Sequence, residues 1–172
     1  MSKVTSATAS GFNIELDDTG FFQGMIGTLA GTLEEVVGLE DAASFVGVVG
    51  GKIGDDLASQ YVSELQGKPP SAEAIGAILV DMKARIGGGF RVESADGEEI
   101  VLVNSRCPFA EQVKGRPSLC MMTTNVFGRI VATANGYAHV EIEEAIATGH
   151  AGCRVRILLS PGENLNGYEF YP

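Results

Sequence analysis

The residues able to bind a metal ion or to act as nucleophiles are concentrated in the second half of the chain. All three cysteines, Cys107, Cys120 and Cys153, and both histidines, His139 and His150, lie there. Zinc prefers thiolate and imidazole ligands, and iron–sulfur clusters are held by thiolates. The distribution therefore raises the question of whether these thiols form one site or pack separately.

Spacing leaves three interpretations of the cysteines open. His150 and Cys153 are three residues apart across a glycine-containing turn, so both could reach one metal ion. No two cysteines are separated by two or three residues, however, and free cysteine often packs as a small buried hydrophobe. Cys120 begins a predicted helix, where unpaired N–H groups lower a thiol pKa and favour reactivity.

Three helices are predicted in the first half of the chain. Apolar residues recur at helical spacing between positions 22 and 37, with Asp17 or Asp18 as the cap and Gly38 as the end. A second helical pattern follows directly. Ser71 is expected to cap a third helix, which the three glycines after position 86 end.

The second half changes to mixed structure. FRVES and EIVLVNS flank Asp96-Gly97, which is typical of a β-hairpin. Ser118 is expected to cap a fourth helix, which is apolar on two sides and so should lie between a sheet and another layer. YAHVEIEE and CRVRILL follow as strands, with His139 on the glutamate-bearing, exposed side. The polar and aromatic tail is expected to fold back as an edge.

This order of elements predicts an α+β domain. Residues 1–11 read as a disordered arm, and residues 12–172 as a single domain. Within it, residues 12–89 are mostly helical. Residues 90–172 form an antiparallel sheet with one central helix.

A ridge of small residues, Gly47, Gly51, Gly54 and Ala58, runs along the second predicted helix. Interior glycine weakens a helix by about 0.5–1 kcal/mol relative to alanine, so its usual benefit is the close approach of another backbone. That backbone could belong to the same chain or to a second copy. We expect this face to form a homodimer.

Charge and composition exclude some partners and indicate a compartment. A formal net charge of −10 opposes binding to nucleic acid and to anionic membrane surfaces, both of which need basic patches. The odd number of cysteines and the lack of a recognisable signal segment favour reduced thiols in the cytoplasm.

Three segments resemble the methanogen output domain family: AGTLEEVVGLEDAASFVGVVGGKIGD, CPFAEQVKGRPSLCMMTTNVFG and GYAHVEIEEAIATGHAGCRVRILL. Domains of this family occur after sensor modules or alone in bacteria and archaea. The resemblance implies a regulatory role rather than a reaction.

A more distant likeness links Glu143, Gly149 and Cys153 to four-vinyl-reductase-type (4VR) domains. These are α/β ligand-binding modules, often dimeric, and several hold a structural zinc on cysteines beside a small-molecule pocket. Ile146 stands where such domains have their penultimate cysteine. A zinc site here would therefore need Cys107 and Cys120.

The leading prediction is a cytoplasmic sensory or signal-output domain without catalytic turnover. It would bind zinc, an iron–sulfur cluster or a small apolar ligand through Cys107, Cys120 and Cys153, with His150 as a further ligand. One alternative is a small thiol- or metal-dependent enzyme. Another is a dimeric structural adaptor whose cysteines are inert core residues.

Overall fold

Helix boundaries follow the caps encoded in the sequence. In the computed structural model, the first helix begins where the Asp17 carboxylate accepts a hydrogen bond from the Gly20 N–H, at 2.6 Å. It ends at Gly38, whose φ of 84° is accessible to glycine without strain. The Ser71 hydroxyl accepts from the Ala74 N–H and starts the third helix, as predicted.

The structure describes residues 14–65, 67, 69–163 and 166–172, so the predicted arm lies outside the described residues. The α-helices and strands within these ranges, in chain order, are α1 (Asp18–Val37), α2 (Leu39–Glu64), α3 (Ala72–Arg85), β1 (Phe90–Ala95), β2 (Glu99–Asn104), α4 (Cys120–Asn135), β3 (Ala138–Glu144), β4 (Cys153–Leu158) and β5 (Tyr168–Phe170). Among these described elements, no helix is long and apolar enough to cross a membrane.

The five strands form one antiparallel sheet in the order β1-β2-β4-β3-β5. The predicted hairpin is β1–β2, with the Asp96 carboxylate accepting from the Glu98 and Glu99 N–H groups. The tail supplies β5, which pairs with β3 at the sheet edge. The α+β class predicted from the sequence is confirmed.

Helices α3 and α4 cover one face of the sheet. Leu79 of α3 and Phe127 of α4 are fully buried in the same apolar cluster as Leu102, Val155 and Ile157 of the strands. The opposite face carries ion pairs between strands. Arg154 of β4 pairs with one glutamate on β1 and one on β3, and Arg156 of β4 pairs with a third on β2.

Helix α4 lies between the sheet and α2, as its two-sided apolar pattern predicts. The contact with α2 is close because α2 presents glycine there. A Cβ added to Gly50 would lie 3.2 Å from the Met122 Cα, and one added to Gly54 would lie 3.1 Å from the Val126 Cα. The glycines therefore allow two helix backbones to meet within one chain.

The assignment of the small-residue ridge to a homodimer was wrong. Gly47, Gly54 and Ala58 are buried within the chain, and both glycines face α4. A Cβ on Gly51 would have no neighbour within 4 Å. The close approach that the glycines permit is thus made by α4 rather than by a second copy.

His139 was predicted on the exposed side of β3, and this was also wrong. Its side chain is only 3% exposed, because the tail returns alongside β3 and pairs His139 with Glu169. The His139 Nε2 hydrogen-bonds to the Asn166 carbonyl.

Two alanine substitutions in α2 should have opposite effects on stability. Gly54→Ala places a Cβ 2.8 Å from the Arg129 Cβ and should destabilise the fold by about 1–3 kcal/mol through overpacking. Gly51→Ala meets open space and should stabilise it by about 0.5–1 kcal/mol through helix propensity. Urea denaturation measures both. Equal effects of the two substitutions would contradict the α2–α4 packing.

Candidate functional site

The last turn of α3 carries a lysine into the protein interior. Lys83 is 3% exposed and follows Leu79 and Met82 on the buried side of the helix. Its Nζ donates a hydrogen bond to the Thr123 Oγ1 at 2.8 Å. It also lies over two aromatic rings, 5.6 Å from the centre of Phe90 and 5.1 Å from that of Phe127.

Asn104 positions two of the cysteines. It ends β2 opposite Cys153 in β4, and its Oδ1 accepts from the Cys153 N–H at 2.8 Å. Its Nδ2 donates to the Arg106 carbonyl at 3.1 Å, which fixes the chain just before Cys107. The buried Asn104 amide therefore links the end of β2, the start of β4 and the segment that follows β2.

Cys120 is the first residue of α4, directly after a 3₁₀ turn over Pro117–Leu119. The predicted cap by Ser118 is wrong, since no side chain caps this helix. Ser118 lies in the preceding turn, and its N–H donates to the Glu34 Oε1 of α1 at 3.0 Å. Helix α1 thus holds the turn that leads into Cys120.

The three cysteines line one small cavity between α4, the sheet and the segment that follows β2. The cavity measures about 20 Å³, which is room for one water molecule. His150 lies exposed on the surface, outside this cavity. The other lining residues are Phe90, Asn104, Pro108, Phe109, Val113, Leu119, Thr123, Ile142, Ala147 and Val155.

Burial controls the protonation of these groups. It raises the pKa of Cys120 to about 12 and also raises the pKa of Cys107. The helix N-terminus was expected to lower the pKa of Cys120, but removal from water outweighs it. Burial lowers the pKa of Lys83 from 10.5 to about 8, although the neighbouring cysteines oppose this shift. At neutral pH the site therefore combines the protonated thiols of Cys107 and Cys120 with a buried ammonium.

Cys120 should consequently be slow to alkylate. A rise in its pKa from 9.0 to about 12 lowers the thiolate fraction at pH 7.5 about a thousandfold, and the thiolate is the reacting form. Iodoacetamide labelling, followed residue by residue by mass spectrometry, measures this rate in the folded protein and in denaturant. Equal labelling rates in the two states would show that the thiol is accessible and reactive.

A metal ion does not fit these residues as they are placed. No three His, Cys, Asp or Glu side chains among the described residues are arranged to hold one. The three thiols share their surroundings with the Lys83 ammonium, whose positive charge disfavours a second cation. The zinc or iron–sulfur site stays a prediction from the sequence.

Lys83, Thr123 and Asn104 were missed as site residues by the sequence analysis. The helical spacing of α3 contained a signal for the lysine, since Lys83 follows Leu79 by four residues and so shares its buried face. Asn104 and Thr123 had no comparable signal, because their roles depend on contacts between distant parts of the chain.

The fold and the site together define an α+β domain with a buried, thiol-lined cavity. A similar fold occurs in the phenol-responsive sensory domain of the transcription activator PoxR, solved with phenol, at 16% identity and a TM-score of 0.68. The match covers 85% of this chain and 76% of that one. A second occurs in trafficking protein particle complex subunit 3 from Naegleria fowleri, covalently bound to palmitic acid. Here identity is 15%, the TM-score 0.55, and coverage 83% and 95%.

Residues 25–158 match methanogen output domain 1, and the chain belongs to this family. The family resemblance predicted from the sequence is confirmed. A comparison with curated proteins found no match.

Proposed function

We propose that this domain senses a small, largely apolar molecule in the thiol-lined cavity and transmits its presence to α1. The observation that carries the proposal is the position of residues 105–119, called here the wall segment. One side of this segment lines the cavity, and the other side supports α1. A ligand and the output helix would therefore act on the same piece of chain.

Helix α1 contacts the wall segment once in each of four successive turns. The contacts pair Gln23 with Pro108, Gly27 with Gln112, Gly31 with Arg116, and Glu34 with Ser118. The first is a hydrogen bond of 2.8 Å from the Gln23 Nε2 to the Pro108 carbonyl. Movement of the wall segment would therefore alter contacts along most of α1.

An apolar cluster links the cavity to α1 as well. Ala30 of α1 is buried with Val113 and Leu119 of the wall segment. Cys107 and Cys120 pack against this cluster. The cavity thiols and the inner face of α1 thus belong to one packed unit, which favours transmission by displacement of side chains.

The size of the cavity implies that binding moves the wall. A space of about 20 Å³ holds one water molecule, so any organic ligand must displace part of its lining. The wall segment is suited to this because its regular structure is limited to short 3₁₀ turns. Ala110 also adopts a φ of 49°, which is strained for a residue other than glycine.

The outer faces of α1 and α2 supply the output surface of the proposal. The large apolar side chains there that are more than 40% exposed include Phe21, Phe22, Met25, Leu29, Phe45, Val48, Val49 and Ile53. Neither residues 19–33 nor residues 42–51 contain a charged side chain. Exposed apolar surface of this extent is typical of an interaction site.

The partner proposed for this face is a second copy of the chain. Two chains of net charge −10 repel each other, so they can associate only through surfaces that carry little charge and bury apolar groups. The faces of α1 and α2 meet both conditions. This dimer would use the outer faces of these helices, leaving the glycine ridge packed on α4.

Methyl NMR combined with hydrogen exchange tests the sensory proposal. Benzamide and benzoate serve as the test ligands, because the two molecules have nearly the same size. Binding of either should shift the methyl signals of Val113 and Val155, which line the cavity, while those of Val92 in β1, outside the cavity lining, stay unchanged. Exchange rates should change together in the wall segment and α1 but not in β1. Cavity binding without a change in α1, or no binding of either probe, would contradict the proposal.

A further inference from the structure

One residue of the cavity lining, Thr123, is hydrogen-bonded to a buried cation that has no anionic partner among the described residues. Lys83 is 3% exposed, and the six ion pairs among the described residues all involve other side chains. Among the described residues, its one hydrogen-bond acceptor is the neutral hydroxyl of Thr123. A buried charge is normally paired, because removal from water is costly. The site therefore lacks one negative charge.

No carboxylate among the described residues faces Lys83, and its titratable neighbours are thiols. The titratable groups facing Lys83 are Cys107 from the wall segment, Cys120 from α4 and Cys153 from β4. Burial raises the pKa of Cys107 and of Cys120, so both are protonated at pH 7. The rings of Phe90 and Phe127 stabilise the ammonium only partly, since cation–π contacts do not neutralise it.

Thr123 connects Lys83 to the cavity through a hydrogen bond. Its hydroxyl accepts from the Lys83 Nζ, while Thr123 itself lines the cavity. A hydroxyl that accepts one hydrogen bond keeps its own proton for donation. Donation to an ionised acceptor is roughly twice as strong as donation to a neutral one. The cavity thus offers an anion a donor polarised by a cation, against otherwise largely apolar walls.

We infer that the cavity selects a small apolar molecule bearing one anionic head group, in the simplest case a carboxylate, bound at Thr123 beside the Lys83 ammonium. The inference rests on the sensory function proposed above and adds the charge of the ligand to it. The apolar part of the molecule packs among Phe109, Val113 and Leu119 as the wall segment moves outward. Binding places a negative charge near the Lys83 ammonium, through the Thr123 hydroxyl.

Calorimetric titration of the full chain with benzoate and benzamide tests this inference. The two probes match in shape and differ in charge. Benzoate should bind at least tenfold more tightly than benzamide, and Lys83→Met should reduce the ratio to near one. Lys52→Met, which removes an exposed lysine of α2, should leave the ratio unchanged. Thr123→Val should weaken benzoate alone, and Thr123→Ser should retain its binding.

The results separate the two proposals. If benzamide binds in the cavity as tightly as benzoate, or if the ratio survives in Lys83→Met, the anionic head group is excluded while the sensory function stands. If neither probe binds, both proposals fail.

Should Lys83→Met not fold, the pH dependence of benzoate binding to the wild type tests the inference instead. Benzoate affinity should fall several-fold from pH 7 to pH 9, as Lys83 loses its proton, with benzamide affinity constant. A flat benzoate profile would overturn the inference.

Discussion

Lys83→Met should make the protein more stable by about 2 kcal/mol at pH 7. Burial lowers the pKa of Lys83 from 10.5 to about 8, and a shift of this size corresponds to about 3 kcal/mol by which charging destabilises the folded state. Removal of the ammonium abolishes that penalty. It also loses the hydrogen bond to Thr123, which contributes about 1 kcal/mol. Urea denaturation of both proteins gives the difference in free energy of unfolding.

The stability gain should disappear as the pH rises. Below pH 8, Lys83 is protonated in both the folded and unfolded states, so the full penalty applies. Between pH 8 and pH 10.5 the folded protein has released this proton while the unfolded chain still binds it. The wild type is therefore stabilised relative to Lys83→Met by up to about 1.4 kcal/mol per pH unit.

The cysteines do not obscure this comparison. The raised pKa values of Cys107 and Cys120 destabilise the folded state above about pH 9, because the unfolded thiols ionise first. Burial is the main cause of both shifts and is present in both proteins, so the larger part of this effect cancels in the difference. Lys52→Met, at an exposed position, should show no pH-dependent difference from the wild type. A difference between Lys83→Met and the wild type that stays constant from pH 7 to pH 10 would show that Lys83 is not a buried ammonium.

Local elements could be predicted because their signals are local. Asp17 and Ser71 each accept a hydrogen bond from a backbone N–H three residues later. Asp96 does the same within the hairpin turn. Such contacts depend on a few adjacent residues, so the starts of α1 and α3 and the first hairpin follow from the sequence.

The cavity could be predicted only in part, because it depends on contacts between distant residues. The sequence places all three cysteines in the second half of the chain, and in the structure they line one cavity. The direction of the Cys120 pKa shift was predicted wrongly. A position in the first turn of a helix can be predicted from the sequence, whereas the burial that raises this pKa depends on distant parts of the chain. His139 illustrates the same limit, because the tail that covers it is far along the chain.

The small-residue ridge shows how one pattern can fit two interfaces. Glycines at helical spacing indicate that a backbone approaches closely, but they do not identify whose backbone it is. Met122 and Val126 of α4 occupy that position within the chain. A dimer must consequently be sought on the large apolar residues of α1 and α2 that α4 leaves exposed.

Phe22→Glu should separate the proposed dimer. Phe22 is 54% exposed on the outer face of α1, within the uncharged stretch at residues 19–33. In a twofold dimer the substitution introduces two carboxylates into one apolar interface. Loss of an aromatic contact there typically weakens association by about 2–4 kcal/mol. The dissociation constant, measured by analytical ultracentrifugation, should therefore rise at least about thirtyfold.

Ser94→Glu provides the matched control for this experiment. It adds the same charge at an exposed position of β1, an element of the sheet rather than of the α1–α2 face. If simple charge repulsion governed association, both substitutions would weaken it equally. If the apolar face governs it, Phe22→Glu gives monomers at concentrations where Ser94→Glu and the wild type are dimers. A wild type that sediments as a monomer at all concentrations would exclude the second copy as the partner of this face.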